Sequence, residues 1–343
     1  DNIGDFVDLH NEVFGGWGED GNKVFRWKYV DAPCGTDLPV FLVFHEDRLV
    51  GGRGYMVSPL SLEGTNVKGY QSADLMVHPD YQGEGVFKAL NQYCSQVHAG
   101  LGKRLLFSFP RPRPRRGYKK GGWTIYRNPE YRSTSFSRQG IGSLLQSSWK
   151  SSVIRGSRLV SQLAAWPFLS GWSRWIERHR LEVEHWKDKH AERATSLAPY
   201  QRHIAYDRTR DFYRWRLSEP QKKFYAATLY DRDQVVGLVF FNKQWGRIFI
   251  REVLAKKSAG AGSFALLLHE VVRYCGINRS YQIWSNLPEP ILAALGFADI
   301  KGQDEFRHDV AVRGYNLDPD EEKWMHDVFE ESRSGLSLLD FDC

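Results

Sequence analysis

Cysteine is scarce in this chain, and its four occurrences show no metal-binding or disulfide framework. Cys34, Cys94, Cys275 and Cys343 lie far apart, with no Cys-x-x-Cys or Cys-x-x-His among them. That excludes a zinc ribbon and a cystine-stapled scaffold, and no metal is expected. A reducing, cytoplasmic location is the corresponding expectation. No uninterrupted apolar run approaches the ~20 residues of a membrane-spanning helix, and no secretory signal opens the chain. It begins at Asp1 rather than Met, as expected of a trimmed N-terminus. The distributed basic stripe that a nucleic-acid backbone needs is also missing, because a net charge of +6 over 343 residues is modest.

What is present is apolar and unevenly charged. With 42% hydrophobic and 14% aromatic residues, the chain can build two cores of ordinary domain size. Nine acidic residues stand against two Lys or Arg between 315 and 343, whereas residues 149–180 carry six Lys or Arg and one Glu.

A repeat sets the organisation. Phe25 to Pro33 reads FRWKYVDAP and precedes a strand, an acidic turn and Val-Gly; Tyr213 to Pro220 reads YRWRLSEP and precedes the same succession. Two homologous halves follow from it. Each half reads as helices, antiparallel strands, a helix after a strand, then further strands, which is an α+β fold with a mixed sheet. The division expected is a first domain at 1–138, a helical Trp-rich connector at 139–205, a second domain at 206–310 and an acidic tail at 311–343. The connector segment 149–180 mixes Trp with Lys and Arg. That composition suits a helical arm packed over a cleft, and it also suits a peripheral membrane contact.

The chemistry centres on VHPDYQGEGVFKAL, Val77 to Leu90. Two glycines between a strand and a helix let successive N–H groups converge where the helix dipole is positive, which suits a pyrophosphate. The segment is neither a phosphate-binding P-loop nor a three-glycine dinucleotide fingerprint. It resembles the acyl-CoA-binding motif of the GNAT acyltransferase superfamily. Val77 and Pro79 match the strand end, and Gln82, Gly83, Glu84, Gly85, Val86 and Phe87 fall on the loop. Phe87 departs from the family's small residue at the end of the loop. DRLVGGRGY, from Asp47, is similar to the family's paired central strands. YKKGGW, from Tyr118, is similar to its Tyr-x-x-x-Gly-aromatic signature, with Gly122 and Trp123 in place.

The resemblance implies a tandem GNAT protein, α+β in class, whose first half is active. The second half offers only KKSAGAGSF at the position of the loop and is degenerate. It implies acyl transfer from acetyl-CoA, or a longer acyl-CoA, to a small-molecule amine. The backbone of Leu75, Met76 and Val77 would polarise the thioester, Tyr118 would be the general acid, and Asp74 is the carboxylate placed to act as base. His78 is the other titrating group near neutral pH and reads as a strand-end residue facing solvent. Cys94, on an amphipathic helix, reads as a small buried hydrophobe.

Six of the ten residues from Arg111 to Lys120 are Lys or Arg. Arg111, Arg113, Arg115 and Arg116 suit an anionic acceptor such as a nucleotide-linked or phosphorylated amino sugar. Two other readings stand beside this one: a membrane-surface acyltransferase acting on a lipid-linked amine, and a catalytically idle binding scaffold.

Overall fold

The structure is a computed structural model that describes residues 2–34, 40–62, 65–102, 104–110, 114–126, 132–136, 179–197, 204–206, 208–244, 247–256, 281–285, 298–299 and 310–331, with positions 267, 271, 274 and 275. In chain order the first half contains α1 (Ile3–Phe14), α2 (Gly21–Tyr29), β1 (Val40–His45), β2 (Arg48–Leu62), β3 (Thr65–Val77), α3 (Val86–Gly100), β4 (Arg104–Ser108), α4 (Arg115–Lys120), β5 (Thr124–Tyr126) and β6 (Arg132–Phe136). There follow β7 (His179–His185), α5 (Asp188–Thr195), β8 (Ile204–Tyr206), α6 (Arg210–Leu217), β9 (Phe224–Asp231), β10 (Gln234–Gln244), β11 (Arg247–Ala255), β12 (Tyr281–Ser285), β13 (Ala298–Asp299), β14 (Val310–Tyr315) and α7 (Pro319–Glu331).

The protein is α+β with tandem units, as the sequence leads one to expect, but the units are not consecutive in the chain. One comprises Asp1–Tyr131, Gln201–Lys223 and Asp304–Cys343; the other comprises Arg132–Tyr200 and Phe224–Gln303. The sheet of the first unit runs β1-β2-β3-β4-β14-β5, with β8 added to β2. Among the described residues, only β3 and β4 run parallel in it. The second unit has a sheet β11-β10-β9-β7 and another, β12-β6-β13. The first unit therefore takes β8 and β14 from the second half of the sequence, and the second unit takes β6 from the first half. β14 lies between β4 and β5, and β6 lies between β12 and β13.

This corrects two boundaries of the sequence reading. Residues 310–331 are not an acidic tail: β14 pairs with β4 from Ala311↔Ser108 to Tyr315↔Arg104, and Ala311 and Val312 are buried. Three of the acidic residues of α7, Asp320, Glu321 and Glu322, lie in its first turn, where they complement the helix dipole. Nor is the described end of the connector wholly helical. In HRLEVEH, Leu181 and Val183 alternate with polar residues, and this strand pairs with β9 through Val183↔Ala227. The Trp-rich stretch up to residue 178 lies outside the described residues.

The repeated segments meet within the first unit. Trp27 Nε1 donates to the Trp215 carbonyl at 2.7 Å, and Trp215 Nε1 donates to the Trp27 carbonyl at 2.7 Å. Their rings stack with centroids 5.5 Å apart. Equivalent tryptophans thus satisfy each other's buried donors, which is how a duplicated motif packs on itself. Beneath α3, a core of Phe41, Tyr55, Leu90, Cys94, Leu106, Tyr118 and Trp123 covers one face of the first sheet. Each large side chain buried there contributes ~1.5–3 kcal/mol.

Candidate active site

The site begins at a β-bulge. Pairing of β2 with β3 passes from Gly54↔Ala73 to Gly52↔Met76, so Asp74 and Leu75 together oppose Arg53. Asp74 has φ 46°, a left-handed conformation that costs a side-chain-bearing residue free energy. Three groups hold its carboxylate. Lys28 Nζ lies at 2.7 Å, the Tyr29 hydroxyl makes a short hydrogen bond, and His10 Nε2 stands at 3.6 Å. Tyr29 can reach it because residue 54 is glycine; a Cβ there would stand 2.1 Å from the Tyr29 oxygen. His10 is itself stacked on Trp17, with ring centroids 3.9 Å apart.

Burial alone would raise the Asp74 carboxyl, but the Lys28 ammonium and His10 outweigh it and hold it well below the usual carboxylate range. A carboxylate so stabilised is a weak base. The geometry therefore gives Asp74 the task of fixing the bulge, and with it the backbone of Leu75–Val77.

Beyond the bulge the sheet splays. β3 and β4 pair only from Gly69↔Leu105 to Gln71↔Phe107. From Ser72 to Val77 the outer edge of β3 has no strand partner among the described residues. Tyr118 stands at the apex of this split. Its hydroxyl is 2.9 Å from Ser108 Oγ, on the end of β4, and 3.5 Å from Ser72 Oγ on β3. Its ring meets Trp123 edge-on. The Gly121–Trp123 turn that sets this register is held by Arg313 of β14, which donates to the Gly121 carbonyl.

Arg53, the single residue opposite the bulge, points to the same apex. It is only 1% exposed. Its Nε donates to Ser72 Oγ at 2.9 Å and its Nη1 to Asn91 Oδ1, while Nη2 is buried without a hydrogen-bond partner. Sequence reasoning passed over Arg53, Lys28 and His10. For Arg53 the signal was available: an arginine between glycines in a strand that the pattern buries.

Past Val77 the chain turns into α3. Gly83 and Gly85 have φ of 95° and 87°, and nothing stands within 4 Å of a Cβ built at either. The backbone, not crowding, demands glycine there. Residues Gln82 to Gly85 are exposed, Val86 and Phe87 half-buried, and Gln82 Nε2 reaches back to the Val77 carbonyl at 3.3 Å. Phe87 packs toward α4, where a Cβ on Gly117 would stand 2.6 Å from its ring. The bulky residue thus stays clear of the loop it follows.

Of the basic cluster, Arg115 is half-buried and Arg116 exposed, on the short helix that carries Tyr118; Arg111 and Arg113 lie outside the described residues. His78 is buried, contrary to the expectation from sequence, because Glu12 at 2.7 Å and Arg48 at 2.5 Å enclose its Nε2. Cys94 lies in the core, where burial raises its thiol, so it is no ready nucleophile. Of the loop position of the second half, residues 256–264, all but the first lie outside the described residues.

A cavity of about 610 Å³ between α2 and α6 shares no residue with this site. Two of its cations are already matched, Lys23 with Asp20 at 2.9 Å and Arg214 with Asp211 at 3.6 Å. Among the described residues no His, Cys, Asp and Glu cluster could hold a metal, and no helix is long and apolar enough to cross a membrane.

Residues 1–126 match the sequence profile of the acetyltransferase (GNAT) domain family. No curated protein matches the chain. Solved structures do. A GCN5-related N-acetyltransferase from Kribbella flavida aligns over 92% of this chain and 69% of its own, at 16% identity and a TM-score of 0.56. A probable N-acyltransferase from Enterococcus faecalis aligns over 92% and 71%, at 12% identity and 0.58. A tandem GNAT protein from the clavulanic acid biosynthesis pathway aligns over 91% and 94%, at 13% identity and 0.50. At these identities the likeness is one of fold.

Proposed function

Because residues 1–126 match the acetyltransferase (GNAT) domain family, we propose that the chain transfers an acyl group, acetyl in the simplest case, from acyl-CoA to a primary amine. The observation that carries this is the meeting of two features on one strand, β3. Its outer edge, unpaired among the described residues, ends at Tyr118, and its exit is an exposed double-glycine turn that starts a helix of 15 residues.

The residues fit the donor. Backbone N–H groups of Gln82–Phe87 would hold the pyrophosphate, with the dipole of α3 behind them. Acyl-CoA supplies the acyl group as a thioester and a thiolate leaving group. Leu75–Val77 present backbone on the open edge, where an N–H can polarise the carbonyl. Tyr118 is a hydroxyl donor at the apex and serves as general acid. Asp74 is engaged with Lys28, so the ammonium proton of the acceptor leaves through water rather than to this carboxylate.

The acceptor is anionic in this reading, recognised by Arg115 and Arg116 together with Arg111 and Arg113. Thiol release from acetyl-CoA tests it. Glucosamine 6-phosphate is expected to exceed glucosamine in kcat/KM by roughly tenfold or more, the worth of one charge-assisted contact. Equal values for the two would remove the anionic acceptor.

A further inference from the structure

The charge on Arg53 has no counter-ion among the described residues. Among the described residues no carboxylate pairs with it; its hydrogen bonds go to Ser72 and Asn91, and one terminal nitrogen has none. The rings of Tyr55, Tyr118 and Trp123 lie 4.9, 5.7 and 5.5 Å from its guanidinium carbon. Those faces attract the cation without neutralising it. A buried, unneutralised charge is a costly arrangement. Such a charge also projects a strong field, because little solvent screens it. On the opposite face of the same bulge the contrast is plain: the Lys28 ammonium is matched by Asp74.

We infer that Arg53 is a positioning residue for departure of the leaving group, holding a positive charge where negative charge arrives at the apex of the splay. The inference rests on the acyl-transfer reading. In that reaction the amine nitrogen bonds to the thioester carbon and the carbon–sulfur bond breaks, its electron pair going to sulfur. Tyr118 gives its hydroxyl proton to that sulfur. The phenolate left behind takes up, through water, the proton lost by the amine. Negative charge thus passes from sulfur to the Tyr118 oxygen. Arg53 meets it through Ser72 Oγ, which is 2.9 Å from Arg53 Nε and 3.5 Å from the Tyr118 hydroxyl.

Two full-length variants test this, R53Q, which keeps hydrogen-bonding capacity without charge, and R53K, which keeps charge. The first readout is calorimetric affinity for CoA against desulfo-CoA, a ratio that senses only the sulfur. Wild type is expected to favour CoA by about tenfold, R53Q by about onefold and R53K by more than about threefold. The second is acetyl transfer to hydroxylamine. Here R53Q is expected to lose about 100-fold in kcat, and R53K to recover about tenfold of it, with desulfo-CoA affinity unchanged.

An R53Q ratio equal to wild type, or R53K as slow as R53Q, overturns the inference. Should R53Q not fold, R53K decides: a ratio near one overturns it, and a preserved ratio supports it. Wild-type protein that binds neither CoA nor desulfo-CoA would instead overturn the acyl-transfer reading itself.

Discussion

Tyr118→Phe is expected to lower acetyl transfer by about 100-fold or more, the usual worth of a positioned general acid. Affinity for acetyl-CoA should stay within about threefold, since the loss falls on the transition state. The substitution removes one oxygen and leaves the ring that packs on Trp123. Ser108 retains its bond to the Ser72 carbonyl at 3.4 Å, so the destabilisation expected is only about 1 kcal/mol. A hundredfold rate loss corresponds to about 2.7 kcal/mol on the barrier, clearly separable from that. Steady-state thiol release together with urea unfolding measures both. An unchanged rate would make Tyr118 a packing residue alone.

Lys28→Met carries the largest expected effect on stability. It strips the buried Asp74 carboxylate, whose side chain is 11% exposed, of its counter-ion, and breaking such a pair costs about 3–5 kcal/mol. The pH dependence fixes the cause. Asp74 is depressed in the folded protein, so the unfolded chain binds the additional proton as pH falls. Its contribution is therefore complete above the unfolded carboxylate value of about 3.9 and is lost progressively below it. In Lys28→Met the folded carboxyl rises, and that part of the acid sensitivity disappears. Urea midpoints of both proteins at neutral pH and near pH 3 give the comparison. Equal stability at neutral pH would show that the pair contributes nothing net.

Much of this site was legible in the chain because its determinants are local. The double-glycine turn at Gly83 and Gly85 needs backbone that glycine alone adopts readily, and that need is written at those two positions. The duplicated Arg-Trp segments disclosed the two halves, and they meet through reciprocal tryptophan hydrogen bonds. Legibility ended where pairing is non-local. Nothing in VAVRGY says that Val310–Tyr315 joins β4 across two hundred residues, since alternation fixes a strand's faces and not its neighbour. The acidic residues around it gave an appearance of solvated tail that β14 does not have.

Asp74 failed in another way. From sequence it is a carboxylate at the right strand end, yet its availability as a base depends on Lys28, Tyr29 and His10, all more than forty residues earlier. Arg53 shows the converse, since the role proposed for it comes from the lack of a carboxylate partner among the described residues.

Thermal unfolding of the full chain with acetyl-CoA tests the central claim most directly. A ligand held only by the folded state at about 100 times its dissociation constant adds about 2.7 kcal/mol. A rise in Tm of about 4 °C is therefore expected for a chain of 343 residues, increasing with the logarithm of ligand concentration. A Tm that stays constant with acetyl-CoA and with longer acyl-CoAs would contradict acyl transfer by this protein.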